Sequence, residues 1–401
     1  KQMRVFYIFS SLRGLAMGLF SPVWILFLAD EGYNYLLIGV IGTVFEVARL
    51  VFEVPSGTFA DRYGVKLSIT GSLLFSTFTW AFFAATENMI MLIAVMVSWA
   101  LSESLISGAF ETWMSRITGP DRFGKELMKN TQILIVFIVL ASIASGYLYN
   151  LNPMILFLII AFIYFILFLW TMLFIKMPYA KRKLESVQQE SFISILQRSF
   201  SIIITKRRVM LIVIAGFFSA LTYDAIGRYW QPFLNNQGIS EVLLGYVMAI
   251  AGLCALILLT ITVKAERFIN KNAMTSLAIV DVGGIVLISL LSIGLKPLGV
   301  IVTSLLLSIE DIRDPIVHSF LNKFFPDNYK ATLFSVNSGV GAAGEIFSGI
   351  IFGVIAVKFG LTVTFLLAAI CLIPAVIIYI LVPKMKVRTQ INSQKFKKSI
   401  E

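Results

Sequence analysis

Apolar runs of roughly 20 residues, the length that carries a helix across a bilayer, follow one another from end to end of this chain. That recurrence limits the fold more than any motif. Lipid offers the backbone no hydrogen-bond partner, so each crossing segment must satisfy its own amides, and repeated runs of this length imply helices. Twelve spans are expected, at about 5–29, 36–57, 67–86, 89–113, 128–149, 153–175, 209–234, 242–263, 273–295, 297–320, 331–357 and 360–382. Charge is scarce: Asp, Glu, Lys and Arg are 14% of 401 residues, against about a quarter in soluble domains. The expected fold class is an all-α polytopic membrane protein. The chain opens at Lys1, and its first apolar run is too long for a signal peptide and contains Arg13, so it is read as span 1. Cys254 and Cys371 lie in apolar runs and point to neither a disulfide framework nor a metal site.

The basic residues set an orientation. With the N-terminus inside, 27 of the 33 Lys and Arg fall in inner segments and two, Lys296 and Lys358, in outer loops; the other four lie within spans. Such a bias follows the positive-inside rule and places both termini in the cytoplasm. The net charge of +11 is then a matter of topology, and no nucleic-acid partner is implied.

The chain also repeats itself. "FLADEGYNYLLIG" (27–39) aligns without gaps to "FLNNQGISEVLLG" (233–245) at an offset of 206, and Trp24 falls on Trp230 at the same offset. "ADRYGVK" (60–66) meets "AERFINK" (265–271) at 205, and "GPDRF" (119–123) meets "FPDNY" (325–329) near 206. "SESLISGAFETW" (102–113) meets "IEDIRDPIVHSF" (309–320) at 207, which puts Glu103 on Glu310. Matches in order at a fixed offset imply two parallel halves of six spans, an arrangement in which substrate binds near the midplane between them. The expected organisation is a bundle at 1–176, a cytoplasmic linker at 177–208 able to lie on the membrane surface, a second bundle at 209–383 and a basic tail at 384–401.

"GTFADRYGVK" (57–66) resembles the G-x-x-x-D-R-x-G-[RK]-[RK] signature of the major facilitator superfamily, with Gly57, Asp61, Arg62, Gly64 and Lys66 matching and Val65 departing. The motif falls in the expected loop between spans 2 and 3, and the twelve spans, long middle linker and repeat extend the resemblance over the whole chain. "FEVPSGTFADRYG" and "SGAFETW" look like a branch of bacterial drug or metabolite exporters. Two family marks are missing: a Gly-Pro pair in span 5 and an arginine in span 4. The resemblance implies that the motif latches the halves when the cavity faces outward, with Glu53 and Arg116 as partners. Independently, Gly57 would permit close helix contact, Gly64 a tight turn, and Asp61 stands near a helix N-terminus where a carboxylate is favoured. The alternative is that Arg62 and Lys66 only set topology.

A charge at the bilayer centre costs about 2.5–3.5 kcal/mol or more, so one inside a span should face a partner or a wet cavity. In the resembled family, spans 1, 4, 7 and 10 line the cavity. Substrate-cavity candidates are Arg13, Glu46, Arg49, Arg228, Asp311 and Arg313, with Trp24, Trp113, Tyr223 and Trp230 as aromatic surface. Asp224 and Arg228 share a helical face, as do Glu310, Asp314 and His318. Pro315 can kink span 10. Asp314 and His318 are read as inner-gate residues, and Asp281 and Glu345 as structural. Glu46 and Arg49 could equally be a silent pair. Proton-coupling candidates are Glu103, Asp224 and Glu310, because a buried carboxyl can release a proton on one side and reload on the other.

The expected function is proton-coupled efflux, by antiport and alternating access, of a drug or a zwitterionic or anionic metabolite such as a metallophore. The alternatives are an uptake symporter or a lipid flippase on the same fold. "GPDRFGKE" (119–126) approaches a phosphate-binding loop, but Glu126 replaces the magnesium-binding hydroxyl. One histidine and no metal-ligand cluster argue against an enzyme. No cofactor is expected beyond the proton gradient. The expected setting is a monomer in the bacterial cytoplasmic membrane, in contact with lipid, protons and a small molecule.

Overall fold

The computed structural model describes residues 2–86, 88–174, 201, 203–264, 272–294, 296–322 and 330–382. Most of the 177–208 linker, the repeat segments 265–271 and 325–329 and the basic tail lie outside the described residues, as does the Asp61 side chain.

The described residues form twelve helical rods, numbered as spans 1–12. Span 1 is Gln2–Phe20 continued by Trp24–Asp30; span 2 is Tyr35–Tyr63; span 3 is Val65–Phe83. Span 4 joins Met89–Ile106 to Ala109–Thr118, span 5 is Pro120–Leu151 and span 6 is Pro153–Phe174. Span 7 is Arg207–Asn236, span 8 Glu241–Lys264, span 9 Ala273–Ser292, and span 10 joins Lys296–Leu307 to Glu310–Asn322. Spans 11 and 12 share the helical segment Lys330–Leu381, divided at Gly360, where φ is +81° and the chain reverses. Nine stretches among the described residues are by themselves long and apolar enough to cross a membrane, the last of them covering spans 11 and 12. Spans 3 and 10 fall outside that set; span 3 carries several Ser and Thr, and span 10 is broken and charged.

Local chemistry fixes the ends. Asn34 and Asn88 cap spans 2 and 4 by accepting the Leu37 and Met91 amides, both at 2.9 Å, which satisfies donors the first turn cannot. Gly64 turns span 2 into span 3 at φ +98°, as the motif implied. Large apolar side chains such as Phe162, Leu173, Ile279 and Ile377 are exposed, the pattern of a lipid-facing surface.

Within the N-terminal bundle, span 1 packs on spans 5 and 6, and span 3 on spans 4 and 6. Hydroxyls join spans 3 and 4: Ser102 Oγ lies 2.6 Å from Ser76 Oγ and donates to the Ser72 carbonyl at 2.9 Å, while Ser68 donates to the Leu105 carbonyl at 2.6 Å. Small polar residues at such a seam let helices approach and bond in lipid. In the C-terminal bundle, spans 7 and 9 pack on the span 11–12 segment.

The bundles meet along two seams, spans 2 with 11 and spans 5 with 8. At the first, a side chain on Gly39 would collide with the Gly349 backbone, and one on Gly349 with that of Gly39. At the second, Gly245 lies against the Ser142 carbonyl and Gly146 against Glu241 and Val242. The 206-residue offset carries Gly39 onto Gly245, so the seams are repeat-related crossings, both near the end that holds the Asp30–Tyr35 turn.

The same end carries other bridges. Gln231 of span 7 accepts the Ile25 and Leu26 amides at 3.0 and 3.1 Å and donates to the Ser21 carbonyl at 2.8 Å. It thereby fills the break in span 1. Tyr229 donates to the Tyr35 carbonyl at 2.9 Å, and Thr43 to the Ile346 carbonyl at 3.1 Å. These contacts run as far as Arg49 and Glu345, midway along spans 2 and 11. Beyond that level Gly57 has open space around it, and Glu53, Glu310, Asp311, Asp314 and His318 are exposed. The bundles are sealed at the Asp30–Tyr35 end and part toward the end that holds both ends of the described chain.

Candidate transport site

Three charged groups occupy the midpoint. On the N-terminal wall, Arg13 of span 1 donates to Glu103 of span 4 at 2.9 Å, and both are partly exposed. Between the bundles, Arg49 stands 2.8 Å from Glu46 one turn away on span 2 and 3.4 Å from Glu345 of span 11. Glu345 and Asp224 are both charged neighbours of Glu46. On the C-terminal wall, Arg228 donates to Asp224 through two nitrogens, at 2.6 and 3.1 Å. Its guanidinium lies in the space a side chain at Gly42 would need, so Arg228 reaches across onto span 2. Glu310, exposed at the break of span 10, has Asp314, Glu345 and Asp224 as acidic neighbours. The central group thus brings together Glu46, Arg49, Asp224, Arg228 and Glu310 with Glu345.

Glu345 was expected to be structural because span 11 is usually intermediate. Its sequence neighbourhood, "GAAGEIFSG", is small and apolar and gives no sign of a partner 296 residues away.

Four expected cavity residues lie elsewhere. Arg313 turns into its own bundle, where Nε is 2.8 Å from Asp281 and Nη2 donates to Ser219 and Tyr379 at 2.7 and 3.1 Å. Asp281 is fully buried and also accepts from Tyr223 at 3.1 Å, so Tyr223 belongs to this core network. Trp113 is 1% exposed, packed on Phe6 with ring centres 4.2 Å apart, and Trp230 is equally buried. An uncompensated buried charge is costly, which explains why Arg313 follows Asp281 inward. Large aromatics filling a core gain more by burial than by lining water.

Trp24 stays partly exposed and leads to aromatics that no motif marked. Its ring meets Trp99 edge-on at 5.2 Å, and Trp99 also contacts Phe45 at 4.7 Å and Phe20 at 5.5 Å. Arg49 lies over the Phe45 ring at 5.9 Å. Trp99 and Glu103 are four apart on span 4, so the rings sit one turn from the Arg13–Glu103 pair.

The motif residues lie at the parted end. Lys66 donates to the Met172 carbonyl at 2.8 Å, capping span 6; a cation there complements the helix dipole. Arg62 lies over the Tyr63 ring at 5.4 Å, and Glu53 and Arg116 are exposed. Gly57, expected to permit close contact, has open space around it. His318 stacks on Phe334 of span 11 with ring centres 4.9 Å apart, while Asp311 and Asp314 are exposed. Among the described residues no group of His, Cys, Asp and Glu could hold a metal ion.

Two six-span bundles, sealed at one end and parted at the other around a charged midpoint, have the architecture of a membrane transporter. The chain belongs to the Major Facilitator Superfamily, whose family model matches residues 6–309. It is 55% identical over 385 residues to the MFS-type transporter YxaM of Bacillus subtilis (strain 168), covering 96% of each chain. Its fold is similar to that of a mutant of the nucleoside transporter NupG, with a TM-score of 0.82 at 15% identity over 95% of this chain and all of the other. A bacterial homolog of the human lysosomal transporter Spinster, crystallised inward-facing and unoccupied, gives 0.73 at 13% identity, covering 95% and 96%. A D-xylose-proton symporter gives 0.71 at 12% identity, covering 97% and 99%. At those identities the solved structures speak for the fold alone. The protein is a multi-pass membrane transporter of the MFS type.

Proposed function

We propose that this transporter is a proton-coupled exporter of a small organic molecule, working by alternating access in the bacterial cytoplasmic membrane with both termini in the cytoplasm. The basic inner segments support that orientation, under which the central space opens to the cytoplasm. The observation that carries the reading is the pair Glu46 and Glu345, held from opposite bundles by the single Arg49. One guanidinium cannot neutralise two carboxylates. A proton taken up by the pair removes the surplus charge, and its release restores it. Because the partners ride on different bundles, loading changes the attraction between the halves. Glu310 and Asp224 adjoin the pair and offer a route toward the open end. Glu103 is held by Arg13 on the N-terminal wall, away from the pair.

The test is uptake into inverted vesicles as the lumen is acidified, with Glu46→Gln and Glu345→Gln beside wild type. Export by antiport predicts that substrate enters wild-type vesicles and leaves when the gradient collapses, and that both variants lose the pH-driven part. Unchanged pH-driven transport in both variants would refute coupling at this pair. Substrate movement in the opposite sense would indicate uptake.

A further inference from the structure

Span 5 has one face that neither neighbour covers. Span 1 lies against Leu134, Ile138 and Ala141, where side chains on Gly14 and Gly18 would collide. Span 8 lies against Val139, Ser142 and Gly146. At about 100° per residue the two contact faces are about 120° apart, and Arg122, Lys125, Lys129, Val136 and Leu140 fall within about 55° of the direction opposite both. All five are exposed. The face thus looks out to the lipid, with cations at the parted end and apolar side chains beyond them. Glu126 is drawn off it, accepting from Tyr7 of span 1 at 2.7 Å, while Lys129 Nζ lies 4.8 Å from the Tyr7 ring centre. Arg4, exposed and one turn before Tyr7 on the same face of span 1, adds a fourth cation. Those four outnumber the two acids of the segment, Asp121 and Glu126, by two. The repeat does not reproduce the stripe. At an offset of 206, Pro120 and Asp121 fall on Pro326 and Asp327, but Arg122, Lys125 and Lys129 fall on Asn328, Ala331 and Ser335. Within 325–335 only Lys330 is basic, and it falls on Gly124. The shared turn therefore does not require the three cations.

We propose that this face binds an anionic phospholipid of the leaflet at the parted end. Arg122, Lys125 and Lys129 hold its phosphodiester, and its acyl chains lie along Val136 and Leu140. Basic clusters beside a membrane helix attract anionic headgroups. The apolar continuation selects a lipid over a free phosphate, which would leave it unused. The lengths agree: Lys129 and Leu140 are about 16 Å apart along the helix, close to the half-thickness of the hydrocarbon core, about 15 Å. The site belongs to the N-terminal bundle alone, so the lipid ties that bundle, and not its partner, to the leaflet. Nothing in this site depends on the direction of transport or on its coupling to protons.

Lipid retention tests it. Full-length protein is released from nanodiscs of equal dioleoyl phosphatidylglycerol and dioleoyl phosphatidylcholine, and bound lipids are counted by native mass spectrometry. Wild type should hold phosphatidylglycerol at least about tenfold over phosphatidylcholine. Arg122→Gln should cut that preference roughly fivefold, and Arg122→Gln with Lys125→Gln and Lys129→Gln should bring it to within about twofold of none. Thermal midpoints should not move, because the three side chains are exposed. Lys395→Gln with Lys397→Gln and Lys398→Gln removes the same charge from the basic tail and should leave the preference intact. Excess inorganic phosphate should not displace the lipid. Equal retention of both lipids by wild type, an unchanged preference in Arg122→Gln, an equal loss in the tail variant, or displacement by phosphate would each overturn the proposal.

Discussion

Gln231 touches Ile25, the residue it matches in the repeat: the two are 206 apart, the offset that aligns Trp24 with Trp230. Equivalent positions of two related halves can meet only near their pseudo-twofold axis. Gln231 therefore sits at the centre of the sealed end, and its three hydrogen bonds fill the break in span 1. The bond is one-sided, because Ile25 has nothing to return.

Gln231→Leu should loosen that seal. It leaves the Ile25 and Leu26 amides without their acceptor in the sealed state, at about 1–3 kcal/mol for a buried polar group left unpaired. Water can reach those amides once the end opens, so the population should move toward the open form by roughly fivefold or more. Spin labels at Glu31→Cys and Ser240→Cys, read by distance measurement, should show a larger long-distance fraction. An unchanged distribution would count against the lock.

Gly39→Val and Gly245→Val should act alike. Each places bulk where backbone meets backbone at one of the two repeat-related seams. Both should favour the form open at the Asp30–Tyr35 end and reduce transport at least tenfold, while Gly57→Val, at a position with open space around it, should leave the same label distances unchanged.

Arg313→Ala should destabilise strongly. It strands the fully buried Asp281, and breaking one partner of a buried pair costs about 3–5 kcal/mol. Tyr223→Phe removes one hydrogen bond to that carboxylate and should cost about 1.5–3 kcal/mol. The double variant Asp281→Asn with Arg313→Met should recover much of the loss. Thermal midpoints in detergent measure all three, and an Arg313→Ala protein as stable as wild type would show that the pair is not the strut it is taken for.

Ser102→Ala should be mild. Interhelical hydrogen bonds in membranes average about 0.6 kcal/mol, so losing its contacts with Ser72 and Ser76 should lower stability by only about 1–2 kcal/mol and leave transport intact.

Much of the fold could be read from the residues. Apolar length gave the spans, and the repeat gave the two bundles; the gapless match that ends in Gly39 and Gly245 marks two equivalent crossings. The site was legible only in part. Spacing along a helix identifies residues that share a face, as for Asp224 and Arg228, but not the direction that face takes. Arg313 and Glu345 show the limit. One follows a buried acid on span 9 and the other meets an arginine in the opposite bundle, and neither partner is near in sequence. Trp113 and Trp99 look alike as aromatic residues of span 4; only packing separates the core ring from the partly exposed one.

The glycine crossings carry a further consequence. A membrane kept at a voltage discharges through any continuous thread of water, so a carrier must stay insulating whichever way it faces. Where Gly39 meets Gly349 and Gly245 meets Ser142, backbone lies directly on backbone, leaving no side-chain gap for such a thread. The same plainness lets the joint part cleanly, since two bare helix surfaces have little to disentangle. Electrical tightness and ease of opening thus come from the same missing side chains.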